Sequence, residues 1–132
     1  MVDSRGFSAK YLRPGHLYAV VFEDDGRVGY AYLLDSRDKI CGDTWLYNRC
    51  DTPTATEWNE LERAPFANPA SYAAESRYAL PNSGADVRID WRGDVALIFI
   101  RENLAGALSD GVKPGWATNA LNDGPLAKVL RP

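Results

Sequence analysis

The feature that most constrains this chain is Asp25-Gly26 set between two dense runs of β-formers. Leu17-Tyr18-Ala19-Val20-Val21-Phe22 precedes it and Val28 to Leu34 follows it. A tight hairpin turn needs positive φ at its central residues, and Asp-Gly supplies that at the lowest steric cost. The spacing therefore predicts an antiparallel pair over 16–23 and 28–34. Centring the turn on Asp25-Gly26 pairs Asp24 with Arg27, Val21 with Tyr30 and Ala19 with Tyr32. Phe22 then faces Gly29 and Val20 faces Ala31, so large residues meet small ones. Both faces of the hairpin are apolar, which predicts cover on both sides near its middle. Its tip, Glu23-Asp24-Asp25, is acidic and expected to be exposed.

Further strands follow from the same reasoning. Ile40 to Asn48, with Trp45, Leu46 and Tyr47, reads as a third strand. Val87, Ile89 and Trp91 alternate with Arg88, Asp90 and Arg92, as in a half-buried strand. Gly93-Asp94 forms a turn into Val95–Ile100, a continuous apolar run that suits the centre of a sheet. Glu102-Asn103 turns again into Leu104–Leu108. A helix through 95–108 competes, but Glu102 and Asn103 interrupt its apolar face. Residues 1–15 read as a polar lead-in ending in Arg13-Pro14-Gly15, and 111–132 as ordered loop. Thr56 to Ala64 and Ala70 to Ala79 are the helical candidates, the second with Asn68 as cap and Pro69 at its first turn. The expected fold is α+β and mainly β. It is a single domain over 1–132, an antiparallel sheet of about six strands with one or two short helices in a 51–85 insert.

The inventory of reactive side chains narrows the chemistry. One histidine and two cysteines cannot make a four-ligand Cys/His zinc site. No Gly-x-Ser-x-Gly elbow offers His16 a nucleophile. No glycine cluster matches a phosphate loop or a dinucleotide fingerprint. The acidic tip lacks the wider oxygen spacing of a calcium loop. No cofactor, metal or catalytic residue is therefore assigned. Arg92-Gly93-Asp94 is explained by the turn it makes. Cys41 and Cys50 flank the third strand and lie about 30 Å apart if it is extended, at ~3.3 Å per residue. That is beyond disulfide reach, and two free thiols are expected. The longest apolar run has six residues, too few to cross a bilayer as a helix. Met1–Gly6 holds no apolar signal core, so the cytoplasm is the expected location.

Eighteen acidic residues oppose fifteen basic ones. Residues 1–66 hold eleven acids and eight bases, whereas 67–132 hold seven of each, so the whole excess precedes residue 67. That balance disfavours nucleic acid and suits a basic protein partner. Glu23, Asp24 and Asp25 are the candidate contacts, against the plainer reading of a solvated hairpin tip. Trp58 and Trp116 are candidate apolar anchors, Trp116 because it follows Lys113-Pro114-Gly115. Trp45, Tyr47, Tyr72 and Tyr78 belong to the same group of aromatics, for which a place in the core is the ordinary reading.

The stretch His16–Gly26, continued by Gly29-Tyr30-Ala31-Tyr32 and Leu46-Tyr47-Asn48, resembles a family of small bacterial proteins of unknown function. They share a V-F-E-D-D-G-x-x-G-Y-x-Y hairpin. Trp91-Arg92-Gly93-Asp94 is similar to their later Trp-x-x-Asp turn. The resemblance covers about half the chain. Segment 51–85 and the C-terminal tail depart from it, and it brings no catalytic residues. It implies a non-enzymatic binding protein of immunity type, neutralising a secreted toxin domain through an acidic surface. The alternative is a small-ligand or metal-dependent enzyme using carboxylates with Arg88, Arg92 or Arg101. A third reading is a homodimer formed through an edge strand.

Overall fold

The computed structural model describes residues 6–15, 18–26, 28–48, 76, 78–120 and 126–130. Among these are nine strands in two sheets. The first sheet takes β1 (Phe7–Leu12), β2 (Ala19–Asp24), β3 (Val28–Leu34) and β4 (Ile40–Asn48) in sequential antiparallel order. The second takes β5 (Val87–Arg92), β6 (Val95–Ile100), β7 (Asn103–Ser109), β8 (Trp116–Ala117) and β9 (Lys128–Val129). Its last pair is parallel. This corrects the expected single sheet of about six strands. The helix expected over 56–64 lies outside the described residues, as does most of 70–79. Ser76, Tyr78 and Ala79 are not helical, and a short 3-10 turn at Gly84–Asp86 is the one helical element among the described residues.

The missed strand β1 has a clear period of two. Phe7, Ala9 and Tyr11 are half-buried while Ser8, Lys10 and Leu12 are exposed. Phe7 stacks on Phe22 of β2 with ring centroids 5.5 Å apart. A polar alternation at a chain end looks like a lead-in until a neighbouring strand gives its apolar side something to cover.

The central hairpin forms, but its register differs from the expected one by two residues. Asp24 pairs with Gly29, Phe22 with Ala31 and Val21 with Tyr32. The turn is set by aspartate side chains. Asp24 Oδ1 accepts the Gly26 N–H at 2.8 Å and Asp25 Oδ1 accepts the Val28 N–H at 2.9 Å. The Asp25 N–H also donates to Val28 O at 3.3 Å, so the turn lies between these two residues, with Gly26 at φ +87°. A slip of one would have exchanged the two faces, whereas a slip of two keeps each side chain on its own face.

In the second sheet the β5–β6 turn uses Gly93 at φ +59°. The β6–β7 turn holds Arg101 at φ 49° and Glu102 at φ 65°, the paired left-handed residues of a tight hairpin, and Asn103 opens the next strand.

The two sheets share one core. Val20, Phe22, Leu33, Leu46 and Tyr47 from the first pack with Ile98, Ile100, Ala105 and Leu108 from the second. The join lies along β4 and β7, where a Cβ on Gly106 would stand 2.5 Å from the Leu46 side chain. The free edge of β4 is closed by the tail. Gly111, Gly115 and Leu126 bond Cys41 O, Asp43 O and Trp45 N at 2.8, 2.6 and 3.0 Å. Asn119 is fully buried and donates Nδ2 to Leu46 O at 3.0 Å. The tail thus supplies the hydrogen bonds that a buried sheet edge requires.

Candidate functional site

Cross-strand partners point to the same face, so the register assigns the faces of the four-stranded sheet. One face carries Phe7, Val20, Phe22, Ala31 and Leu33 into the core. The other is built in rows. Leu12, Ala19, Leu34 and Ile40 form the first, and Lys10, Val21, Tyr32 and Asp43 the second. The third holds Ser8, Glu23, Tyr30 and Trp45. Its β4 end is closed, since Trp45 is fully buried and Tyr30 nearly so. Trp45 Nε1 donates to Asn48 Oδ1 at 3.0 Å. Trp45 had stood among aromatics that a surface or a core could claim, and the core takes it, as it takes Tyr47.

Apart from Trp45, Tyr30 and Ala19, which are buried, this face meets solvent. Leu12 is 70% exposed and Ile40 is 49% exposed, the two exposed large hydrophobics of the described residues. They stand at the two ends of the first row, with Leu34 half-buried between them. In the adjoining row Tyr32 stacks on Tyr30 with centroids 6.1 Å apart. Burial pushes the Tyr32 hydroxyl up to about 12, helped by the nearby carboxylates of Glu23, Asp43 and Asp25. Two of those acids come from the hairpin tip and the third from β4, and they converge on one tyrosine. Lys10 is the opposing charge on this face, and it is drawn to Asp38 at 3.6 Å.

The predicted site residues separate. Glu23 and Asp25 are exposed, as expected of a hairpin tip. Asp24 is not, and this is a correction: it is 2% exposed, on the core side of the strand. Its Oδ2 accepts the Tyr47 hydroxyl at 2.5 Å, and Tyr47 is fully buried. Alternation explains the reversal, because three adjacent strand residues cannot all face outward. Trp116 lies in β8 of the second sheet with the Lys128 ammonium 5.2 Å from its ring centroid, apart from the acids. Trp58, His16, Cys50 and Tyr72 fall outside the described residues. Arg88, Arg92 and Arg101 do not converge, each pairing with a local carboxylate: Glu102 at 3.0 Å, Asp90 at 2.9 Å and Asp86 at 3.4 Å.

A concavity lies where the β1–β2 connection, the β5–β6 turn and the end of β7 meet. It encloses about 260 Å³ and is lined by Arg13, Tyr18, Leu33, Trp91, Asp94, Ser109 and Asp110. Arg13 Nη2 donates to Gly93 O at 2.9 Å, and its guanidinium stands 5.0 Å from the Trp91 ring centroid. The Tyr18 hydroxyl donates to Asp110 Oδ2 at 3.0 Å. The Cys41 thiol also bonds Asp110, and burial pushes that thiol up to about 11. A half-buried, protonated thiol is a poor nucleophile.

Among the described residues no group of three or more His, Cys, Asp and Glu side chains is gathered as a metal ion needs. No helix among them is long and apolar enough to cross a membrane. No family model, curated protein or solved structure matches the chain. Sequence reasoning passed over Leu12, Ile40, Tyr32 and Asp43, and Arg13 with Asp94 and Asp110. The alternation in 7–12 was the signal for Leu12. The others join only through strand register.

Proposed function

We propose that this is a binding protein whose outer face on the four-stranded sheet takes a basic protein partner. The observation that carries the reading is the shared row of Leu12 and Ile40. Large apolar side chains left in water on one flat face mark a contact surface. Tyr32 supplies an anchor of the kind that dominates interface energetics. Glu23, Asp25 and Asp43 form an acidic rim, and charges of one sign steer an oppositely charged partner into contact. The resemblance of the central hairpin to small bacterial proteins extends the proposal: the partner is a basic toxin domain that this protein neutralises in the cytoplasm.

Co-expression with the product of the adjoining gene tests it. Growth is rescued and the two proteins co-purify. Ile40→Glu with Leu12→Ser abolishes both effects while urea unfolding of the free protein stays within about 1 kcal/mol of wild type, as exposed positions allow. Trp116→Ala leaves binding intact. A neighbour that is harmless alone, or a complex that survives the double substitution, overturns the proposal.

A further inference from the structure

The cleft between Arg13 and Asp94 is lined by charges of both signs that do not neutralise each other. Among the described residues no ion pair joins Arg13 to Asp94 or Asp110, although all three line the same 260 Å³. Among the described residues the Asp94 carboxylate receives no hydrogen bond, and the Ser109 hydroxyl reaches Asp94 O at 3.5 Å. Arg13 spends one Nη2 bond on Gly93 O and keeps other guanidinium N–H groups for the cleft. Asp110 is held in place by the Tyr18 hydroxyl. The floor is apolar, made by Leu33, which is 2% exposed, and by the Trp91 ring. A concave site with an apolar floor and a few polar groups, here brought by connections and turns at the strand ends, is a common form of a small-molecule site. Arg13, Asp94 and Asp110 bring opposite charges to one cleft without pairing across it. Held apart by the β1–β2 connection and the β5–β6 turn, they leave room for a ligand that carries both complements.

We propose that this cleft binds a small zwitterion of the amino-acid type. Arg13 takes its carboxylate, Asp94 and Asp110 take its ammonium, and an apolar side chain rests on Leu33 and Trp91. The volume suits a molecule of that size and is too small for a drug-sized ligand. The assignment does not rest on the proposed partner surface: the cleft shares the Leu12 end of the sheet, but Leu33 on its floor belongs to the core face rather than the outer one.

Titration of the protein with L-leucine, followed by two-dimensional NMR, tests it. Saturable shifts at the Trp91 indole and the Ser109 amide are expected in the millimolar range. N-acetyl-L-leucine lacks the ammonium and L-leucinamide lacks the carboxylate, and each binds at least tenfold more weakly. Asp94→Asn weakens L-leucine at least fivefold and leaves the spectrum of the free protein otherwise unchanged, since that carboxylate carries no bond. Absence of saturable shifts overturns the proposal. So does equal binding of either derivative, which would reduce the cleft to a single-charge site, or full binding by the Asp94→Asn variant.

Discussion

Tyr47→Phe removes a buried hydrogen bond to Asp24. The Tyr47 hydroxyl donates to Asp24 Oδ2 at 2.5 Å, with Tyr47 fully buried and Asp24 2% exposed. Phenylalanine fills the same ring space, so no cavity opens and the cost is that of the lost donor. A hydrogen bond to a charged group contributes about 1.5–3 kcal/mol, and a buried carboxylate deprived of one belongs near the upper end. For a domain of this length that lowers Tm by roughly 5–12 °C. Urea unfolding gives the free energy directly, with an unchanged m-value showing that the unfolded state is not altered. Asp24→Asn and the double variant complete a thermodynamic cycle. Partners in one hydrogen bond couple by about 1 kcal/mol or more, whereas independent sites add within ~0.5 kcal/mol. A loss below ~0.5 kcal/mol for Tyr47→Phe, or additivity in the cycle, refutes the structural role given to Asp24 and returns it to the surface.

Three further outcomes follow from the same geometry. Gly29→Ala places a methyl group against the buried Tyr47 ring, whose Cε1 would lie 2.8 Å from it, and destabilises by about 2–4 kcal/mol in urea; wild-type stability would show that the ring has room to move. In a Cys50→Ser background, Cys41 reacts with a disulfide reagent at pH 8 about a hundredfold more slowly than glutathione, because its pKa of about 11 leaves little thiolate; reaction at the glutathione rate contradicts that burial. Tyr32, with its pKa held near 12, keeps its proton in the folded state while the unfolded chain releases one from about pH 10. The folded state then binds more protons, so stability falls as pH rises from 10 through 12. The slope is shallower in Tyr32→Phe, and equal slopes by urea unfolding would dismiss the effect.

Elements whose pattern lies within one strand were legible from sequence. Val28–Leu34, Ile40–Asn48 and Val95–Ile100 run over the expected residues, and Gly93 turns where expected. The register of the central hairpin was not legible. Asp25-Gly26 marks a turn but leaves its centre free, and the Asp24 and Asp25 side chains decide it by capping Gly26 and Val28. The division into two sheets was hidden for a related reason. β4 bonds β3 on one edge and loop residues 111, 115 and 126 on the other, so the chain passes from one sheet to the next through side-by-side packing that no local pattern announces. Asp24 shows how this bears on function. Its charge counted toward an exposed acidic run, yet its position in the pleat turns it to the core.

The acidity that remains at the surface is therefore a product of folding. Burial removes Asp24 from the Glu23-Asp24-Asp25 run, and strand pairing adds Asp43 from β4, twenty positions after Glu23, to the acids around Tyr32. Their arrangement separates two kinds of contribution to partner binding. Rim carboxylates act over a screened range of about 8–10 Å at moderate ionic strength, so salt slows association. Leu12, Ile40 and Tyr32 act only on contact, through apolar area removed from water, and that term persists in salt. Neutralising Glu23, Asp25 and Asp43 together should then lower the association rate about tenfold or more at low salt while leaving dissociation little changed, whereas Ile40→Ser should speed dissociation. Stopped-flow binding to the basic partner separates the two. A charge-neutral variant that associates at the wild-type rate would place the partner on another face of the protein.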